Sequence, residues 1–196
     1  MTQVHWLLPF GEGRLFGAGM PAFARWLVSG WEITDIFTAS SGDFLTASYT
    51  GYDSTGTGIT GGRPDLIGDP KLANPTRDLW FNPAAFAVPG ASPTTPLVAP
   101  GSAPIGRFGT SGVGIFNGPG WWQSDMGLIR QVPVREGLKA NLFVFATNVF
   151  NHINPGNPGT SITTAQTVGK ILSIRGDGNT SGIGPRVLTL GLRVEF

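Results

Sequence analysis

Few residues in this chain could carry chemistry, and their spacing argues against it. The two histidines, His5 and His152, lie far apart, and no H-x-x-x-H pair or cysteine accompanies them. Imidazole or thiolate metal sites need such close partners. His152, in "FNHINPG", reads as a loop hydrogen-bonder. "GTGITGG", from Gly56 to Gly62, matches the dinucleotide pattern G-x-G-x-x-G. That pattern works only between a strand and a helix, and Pro64 and Pro70 in the following "RPDLIGDP" deny the helix. A flexible loop is expected there. "DGNTSG", from Asp177 to Gly182, opens like a calcium loop with Asp177, Asn179 and Ser181. The twelfth position should be a bidentate Glu and is Leu188, so a turn is expected, with a looser cation site as the alternative. "GTSGVG" lacks the spacing of a serine nucleophile elbow. The 12 acidic residues fall mostly on turns and loops, and no pair stands out as a catalytic dyad. The expectation is a protein without covalent chemistry: not an enzyme, with no cofactor and no metal.

One aromatic-rich stretch has a possible binding role. In "RDLWFNPAAFAVP", Trp80, Phe81 and Phe86 could stack on a carbohydrate or another apolar ligand. They could equally pack a long loop into an ordered shape. Packing is the favoured reading, because a loop of that length needs internal contacts to offset the entropy of ordering it.

The composition narrows the class of protein. Charged residues make up 13%, the net charge is +1, and Gly (30) and Pro (16) are abundant. Aromatics reach 11%, with six Trp. Strands and turns are favoured over helices, and nothing electrostatic suggests nucleic acid. The absence of Cys excludes a disulfide scaffold. No stretch of apolar residues is long enough for a membrane-spanning helix, and the first residues do not resemble a secretory signal. A mean hydropathy of +0.08 falls where transmembrane β-barrels fall, since half of each strand faces lipid.

Period-two alternation predicts five strands. They are "QVHWLLPF", "GWEITDIFTASSGDFLTASY", "WWQSDMGLIRQV", "LKANLFVFATNVF" and the closing "RVLTLGLRVEF". Asp35 falls on the apolar parity of the second, and a bulge nearby would repair the register. The connections alternate in length. "PVREG" is a tight turn, and a short helical turn is expected near Ala22–Val28 between the first two strands. About seventy residues, Thr50 to Gly120, separate the second and third strands, far beyond ordinary loops. Short turns on one side and long loops on the other describe an outer-membrane barrel. Trp31, Tyr49, Trp121 and Trp122 lie near strand ends, where an interfacial aromatic belt would sit.

Several stretches in order carry a family resemblance: "WLLPFGEGR", "SGWEITDIFTASSGDFLT", "GGRPDLIGDP", "LWFNPAAFAVP", "GPGWWQSDMGLIRQVPV", "LFVFATNVFNHINPG" and "GPRVLTLGLRVEF". With these the chain resembles the C-terminal part of Oar-like TonB-dependent outer-membrane receptors. The resemblance implies a plugged barrel of about twenty-two strands that imports a substrate with energy passed from the inner membrane. It implies residues 1–196 as a barrel fragment lacking plug and signal peptide, located in the outer membrane of a Gram-negative bacterium. The implied partners are the lipid bilayer, the barrel assembly machinery and the TonB system. The expected fold is all-β, an antiparallel up-and-down transmembrane segment of about five strands of a larger barrel, with long external loops. The closing strand, with Leu192, Val194 and the terminal Phe196, resembles the signal that the assembly machinery reads. The alternative of a different class is a soluble, secreted β-sandwich that binds carbohydrate through exposed aromatics.

Overall fold

Alternating apolar and polar residues, rich in Val, Ile, Thr and aromatics, build the strands of this chain. The computed structural model describes residues 1–196 apart from 12, 13, 18, 92–96, 100 and 177–182. Its elements run β1 (Thr2–Leu7), α1 (Ala22–Val28), β2 (Trp31–Ser40), β3 (Phe44–Leu45), β4 (Asp65–Leu66), a 3-10 turn (Pro83–Ala85), β5 (Phe86–Ala87), β6 (Phe116–Asn117), β7 (Trp121–Arg135), β8 (Leu138–Thr147) and β9 (Val187–Glu195). Contacts divide it into two units. The first holds Met1–Ser40, Trp122–Asn154 and Gly176–Phe196; the second holds Ser41–Trp121 and Pro155–Arg175.

The first unit is one five-stranded sheet in the order β1-β2-β7-β8-β9, so strands neighbour in chain order. The pairs β1/β2, β7/β8 and β8/β9 are antiparallel. The sheet is open, with β1 and β9 as its edges. The expected bulge at Asp35 is absent from the β1/β2 ladder, which runs unbroken through Val4 opposite Asp35. No repair is needed, because Ser124 Oγ donates to the Asp35 carboxylate at 2.5 Å. The β7/β8 register shifts between Pro133 and Arg135, beside a proline with no N–H to give the ladder. β7 therefore runs three residues past the expected Val132. The second strand is shorter than the alternation suggests. It ends at Ser40, and Gly42 turns the chain at φ +101 against the Gly118 carbonyl, where a Cβ would not fit.

The long segment after β2 is not structureless. β3 pairs with β6 and β4 with β5, and residues 155–175 complete the second unit. Its core is Leu45, Ala47, Phe81, Ala85, Phe86 and Phe116. The Phe81 ring stacks on Phe116 at 4.4 Å and meets Phe86 edge-on at 6.0 Å. Tyr49, expected in an interfacial belt, is instead buried in this unit at 2% exposure, with its hydroxyl 2.8 Å from Ser54 Oγ. A buried Tyr needs such a partner for its hydroxyl.

Charge-assisted bonds tie the rest of this unit together. Arg107 grips Asp65 with two bonds of 2.7 Å, and Asp43 accepts from Asn157 and Arg175 at 2.8 and 2.9 Å. The Asp65 carboxyl is held below its ordinary range, chiefly by Arg107, and that of Asp43 chiefly by Asn157. In the "GTGITGG" region, Asp53 organises a loop, not a nucleotide site. Desolvation pushes its carboxyl up, but bonds from the Thr55 hydroxyl and the N–H groups of Gly58, Gly56 and Thr55 outweigh this and hold it at about 2.

These three carboxylates are depressed in the folded state, so the unfolded chain binds more protons as the pH falls. Their contribution is intact above the ordinary Asp range and is lost as pH drops through the folded values. The melting transition of the Phe81–Phe86–Phe116 cluster, followed by near-ultraviolet circular dichroism, should be flat from about pH 7 to 5 and fall between about pH 4 and 2. Asp53→Asn should blunt the lower part of that fall; an unchanged profile would show that the Asp53 loop is not coupled to folding.

Candidate functional site

The ladder registers assign side chains to a face within β1/β2 and within β7/β8/β9, and the contacts of Ser124 with Asp35 and of Gly127 with Thr34 match the faces of β2 and β7. Partners directly opposite share a face, and residues two apart along a strand do too. Leu128 lies opposite Val144, which lies opposite Leu190; on β1 and β2, Trp6 lies opposite Ile33. The resulting apolar face carries Val4 and Trp6, Trp31, Ile33 and Phe37, Met126 and Leu128, Leu142 and Val144, and Leu188, Leu190, Leu192 and Val194. Much of it is bare: Leu190 is 77% exposed, Leu188 63% and Leu192 62%. A soluble protein does not leave so large a contiguous patch to water. A β-sandwich would bury this face, so the sandwich alternative does not describe the sheet.

The opposite face carries Gln3, His5, Glu32, Thr34, Thr38, Gln123, Asp125, Lys139, Asn141, Arg193 and Glu195. His5 meets Glu32 at 2.5 Å. Phe143 and Phe145 also stand on this face, with ring centroids 5.4 Å apart. Their partners explain them. Phe143 lies opposite Gly191 and Phe145 opposite Gly127. A Cβ on Gly191 would fall 2.0 Å from the Phe143 ring, and one on Gly127 would fall 2.7 Å from Phe145. Each ring therefore covers a strand glycine, replacing the packing that glycine cannot supply.

Aromatic side chains gather at both ends of the apolar face. At one end Trp122 stacks on His152 at 4.2 Å and contacts Phe37 and Phe150 at 6.1 and 6.0 Å. At the other end lies α1, where the sequence places a helical turn. Its preceding Pro21 suits a helix start, and Gly30 at φ +76 follows its end. Its last carbonyls are capped by side chains: Arg25 O by Ser29 Oγ at 2.5 Å, Leu27 O by Trp31 Nε1 at 2.9 Å, and Trp26 O by Arg130 Nη2. Arg130 Nε also donates to Ser29 O at 3.2 Å, and its guanidinium lies 4.5 Å from the Trp26 ring and 5.4 Å from Trp31. Arg130 has the parity of the apolar face and escapes it by folding onto these carbonyls and rings. Sequence reading missed it; the signal available was a lone cation at an apolar register position.

The residues singled out by sequence fall in different places. Leu192 and Val194 lie on the exposed apolar face, and Phe196 is fully exposed just beyond β9. Phe81 and Phe86 are each 1% exposed, closed to any ligand. Trp80 is half-buried and its Nε1 donates to Asn117 O at 2.8 Å. The two histidines remain apart, one against Glu32 and one on Trp122. The "DGNTSG" turn lies outside the described residues. Among the described residues, no group of His, Asp and Glu could hold a metal ion, and no helix is long and apolar enough to cross a membrane.

A strand sheet with one bare apolar face and aromatic ends has the surface of a barrel wall. A family model described as "Outer membrane beta barrel domain" matches residues 1–188. The chain belongs to this outer-membrane β-barrel family. No curated protein matches it, and no solved structure does. Membership supplies the solvent that the geometry asks for: the bare face meets the hydrocarbon of the outer membrane, and crossing is by strands. The polar face, with His5, Glu32 and Arg193, is turned away from lipid.

The two faces should respond differently to charge. Leu190→Arg places a cation in mid-bilayer and should cost about 2–4 kcal/mol, whereas Thr189→Arg on the other face should cost well under 1 kcal/mol. Urea titration of the complete barrel that contains this chain, refolded into lipid vesicles and read by strand circular dichroism, measures both. Equal costs would mean that the faces are wrongly assigned.

Proposed function

We propose that this chain forms part of the wall of an Oar-like TonB-dependent receptor barrel that takes up a substrate across the outer membrane. The observation that carries this reading is the bare apolar face of a five-stranded sheet with two open edges. Unpaired strand edges are not stable in hydrocarbon, so β1 and β9 call for further strands that close a larger barrel. The ordered stretches quoted above favour the receptor class. On this reading the second unit is an external loop assembly, where Trp80, Phe81 and Phe86 serve packing and not ligand contact. No residue performs covalent chemistry.

The closing strand then has a role of its own. β9 is an edge strand, and its backbone can be captured by strand addition. Leu192, Val194 and Phe196 present apolar side chains along it, with the aromatic fully exposed. This is a segment that barrel assembly machinery could seize. Deleting Phe196 from the complete barrel should slow its insertion into vesicles containing that machinery about ten-fold or more, the equivalent of about 1.4 kcal/mol. The stability of the barrel once formed should change little, since so exposed a ring makes few contacts. Insertion at the wild-type rate would exclude the assembly role. The receptor reading is checked in the gene's own neighbourhood: adjoining coding sequence should specify a plug and the remaining strands. A neighbourhood encoding neither would remove it.

A further inference from the structure

Three hollows run in series along the apolar face of the first unit. The first, about 460 Å³, lies beside α1 and is lined by Arg14, Arg25, Arg130, Trp26 and Phe10. No carboxylate is among its described lining residues. The second, about 470 Å³, shares Phe10 with it and is wholly apolar, between Leu8, Met20, Leu27 and Leu128. The third, about 480 Å³, shares Trp31 and Leu128 with the second and continues between Leu142, Val144 and Leu190. The series is basic at one end and apolar along the rest.

We propose that this corner is a binding site for one anionic glycerophospholipid, with its phosphate at Arg14 and Arg25 and an acyl chain along Leu27, Leu128, Leu142 and Leu190. The site rests on reading the sheet as a barrel wall, which puts α1 at the hydrocarbon boundary. The chemistry of each hollow fits one part of such a lipid. Arg130 is 6% exposed and its guanidinium is engaged by the Trp26 and Ser29 carbonyls, so it fixes the floor and adds charge. Arg14 and Arg25 are left to meet a phosphate as flexible cations at the interface. Trp26 and Phe23, 52% and 74% exposed, flank them as interfacial anchors. A soluble anion would use the first hollow only and leave the two apolar ones unexplained. Charge complementarity and continuity with an apolar run select a lipid.

The test uses the complete barrel that contains this chain, with tryptophans outside residues 1–196 replaced by phenylalanine, in phosphatidylcholine vesicles doped with either a brominated-chain phosphatidylglycerol or a brominated-chain phosphatidylcholine, at equal mole fraction. Bromine quenches tryptophan on contact, and Trp26 and Trp31 line the hollows. Wild type should be quenched as if the anionic lipid were enriched about five-fold, the scale of one arginine at an anionic surface. Arg14→Gln with Arg25→Gln should abolish the preference while leaving quenching by phosphatidylcholine unchanged. Arg14→Lys with Arg25→Lys should retain it. Equal quenching by both lipids in wild type, or a preference that survives the double Gln variant, overturns the site. Loss of the preference on adding inorganic phosphate at matched ionic strength overturns the lipid assignment in favour of a free-phosphate site. Quenching by neither lipid would mean that the chain is not in the bilayer, and the barrel-wall reading would fail with it.

Discussion

Backbone hydrogen bonding in hydrocarbon is the constraint on which this structure turns. No water is present there to meet a free N–H or C=O, so each must be paired inside the sheet. The ladders of β7, β8 and β9 do this residue by residue, from Met126 opposite Ala146 to Lys139 opposite Glu195. Once register is locked, the side-chain period of two sends Leu188, Leu190, Leu192 and Val194 to one face and Thr189, Arg193 and Glu195 to the other. A slip of one residue would put Arg193 into lipid. Register and membrane exposure are therefore one property.

Places where polar groups share the apolar face show how strictly this is managed. Asp35 is answered by Ser124. Arg130 is folded against the end of α1, where it satisfies carbonyls that the helix leaves open. The helix and the arginine depend on one another. α1 has only seven residues, too few to be stable by itself, and side chains of Ser29, Trp31 and Arg130 close its last turn. The same arrangement gathers basic and aromatic groups at the boundary between apolar face and polar end.

The second unit solves a different problem. It is long, rich in Gly and Pro, and built from strands of two residues. Its order comes from a small aromatic core around Phe81, Phe86 and Phe116, and from carboxylates that collect backbone and side-chain donors. Neither source has a period along the chain. That is why the segment looks like a structureless loop in sequence although it holds paired strands and a packed core.

The sequence by itself determined where the strands of the sheet lie, though not all their ends, together with their faces and the turn at α1, because alternation is a local pattern and the backbone ladder preserves it. What only tertiary structure decided were relations between residues distant in the chain. Phe143 and Phe145 look misplaced on a polar face until Gly191 and Gly127 are set opposite them. Tyr49 looks like a belt residue until Ser54, itself tied to the Arg107 carbonyl, and the rest of the second unit close around it. Arg130 looks like a charge in lipid until Trp26 and Ser29 come to meet it. Periodicity records which way a side chain points, but a partner some hundred residues away leaves no trace in it, since that contact is made by packing and not by local conformation.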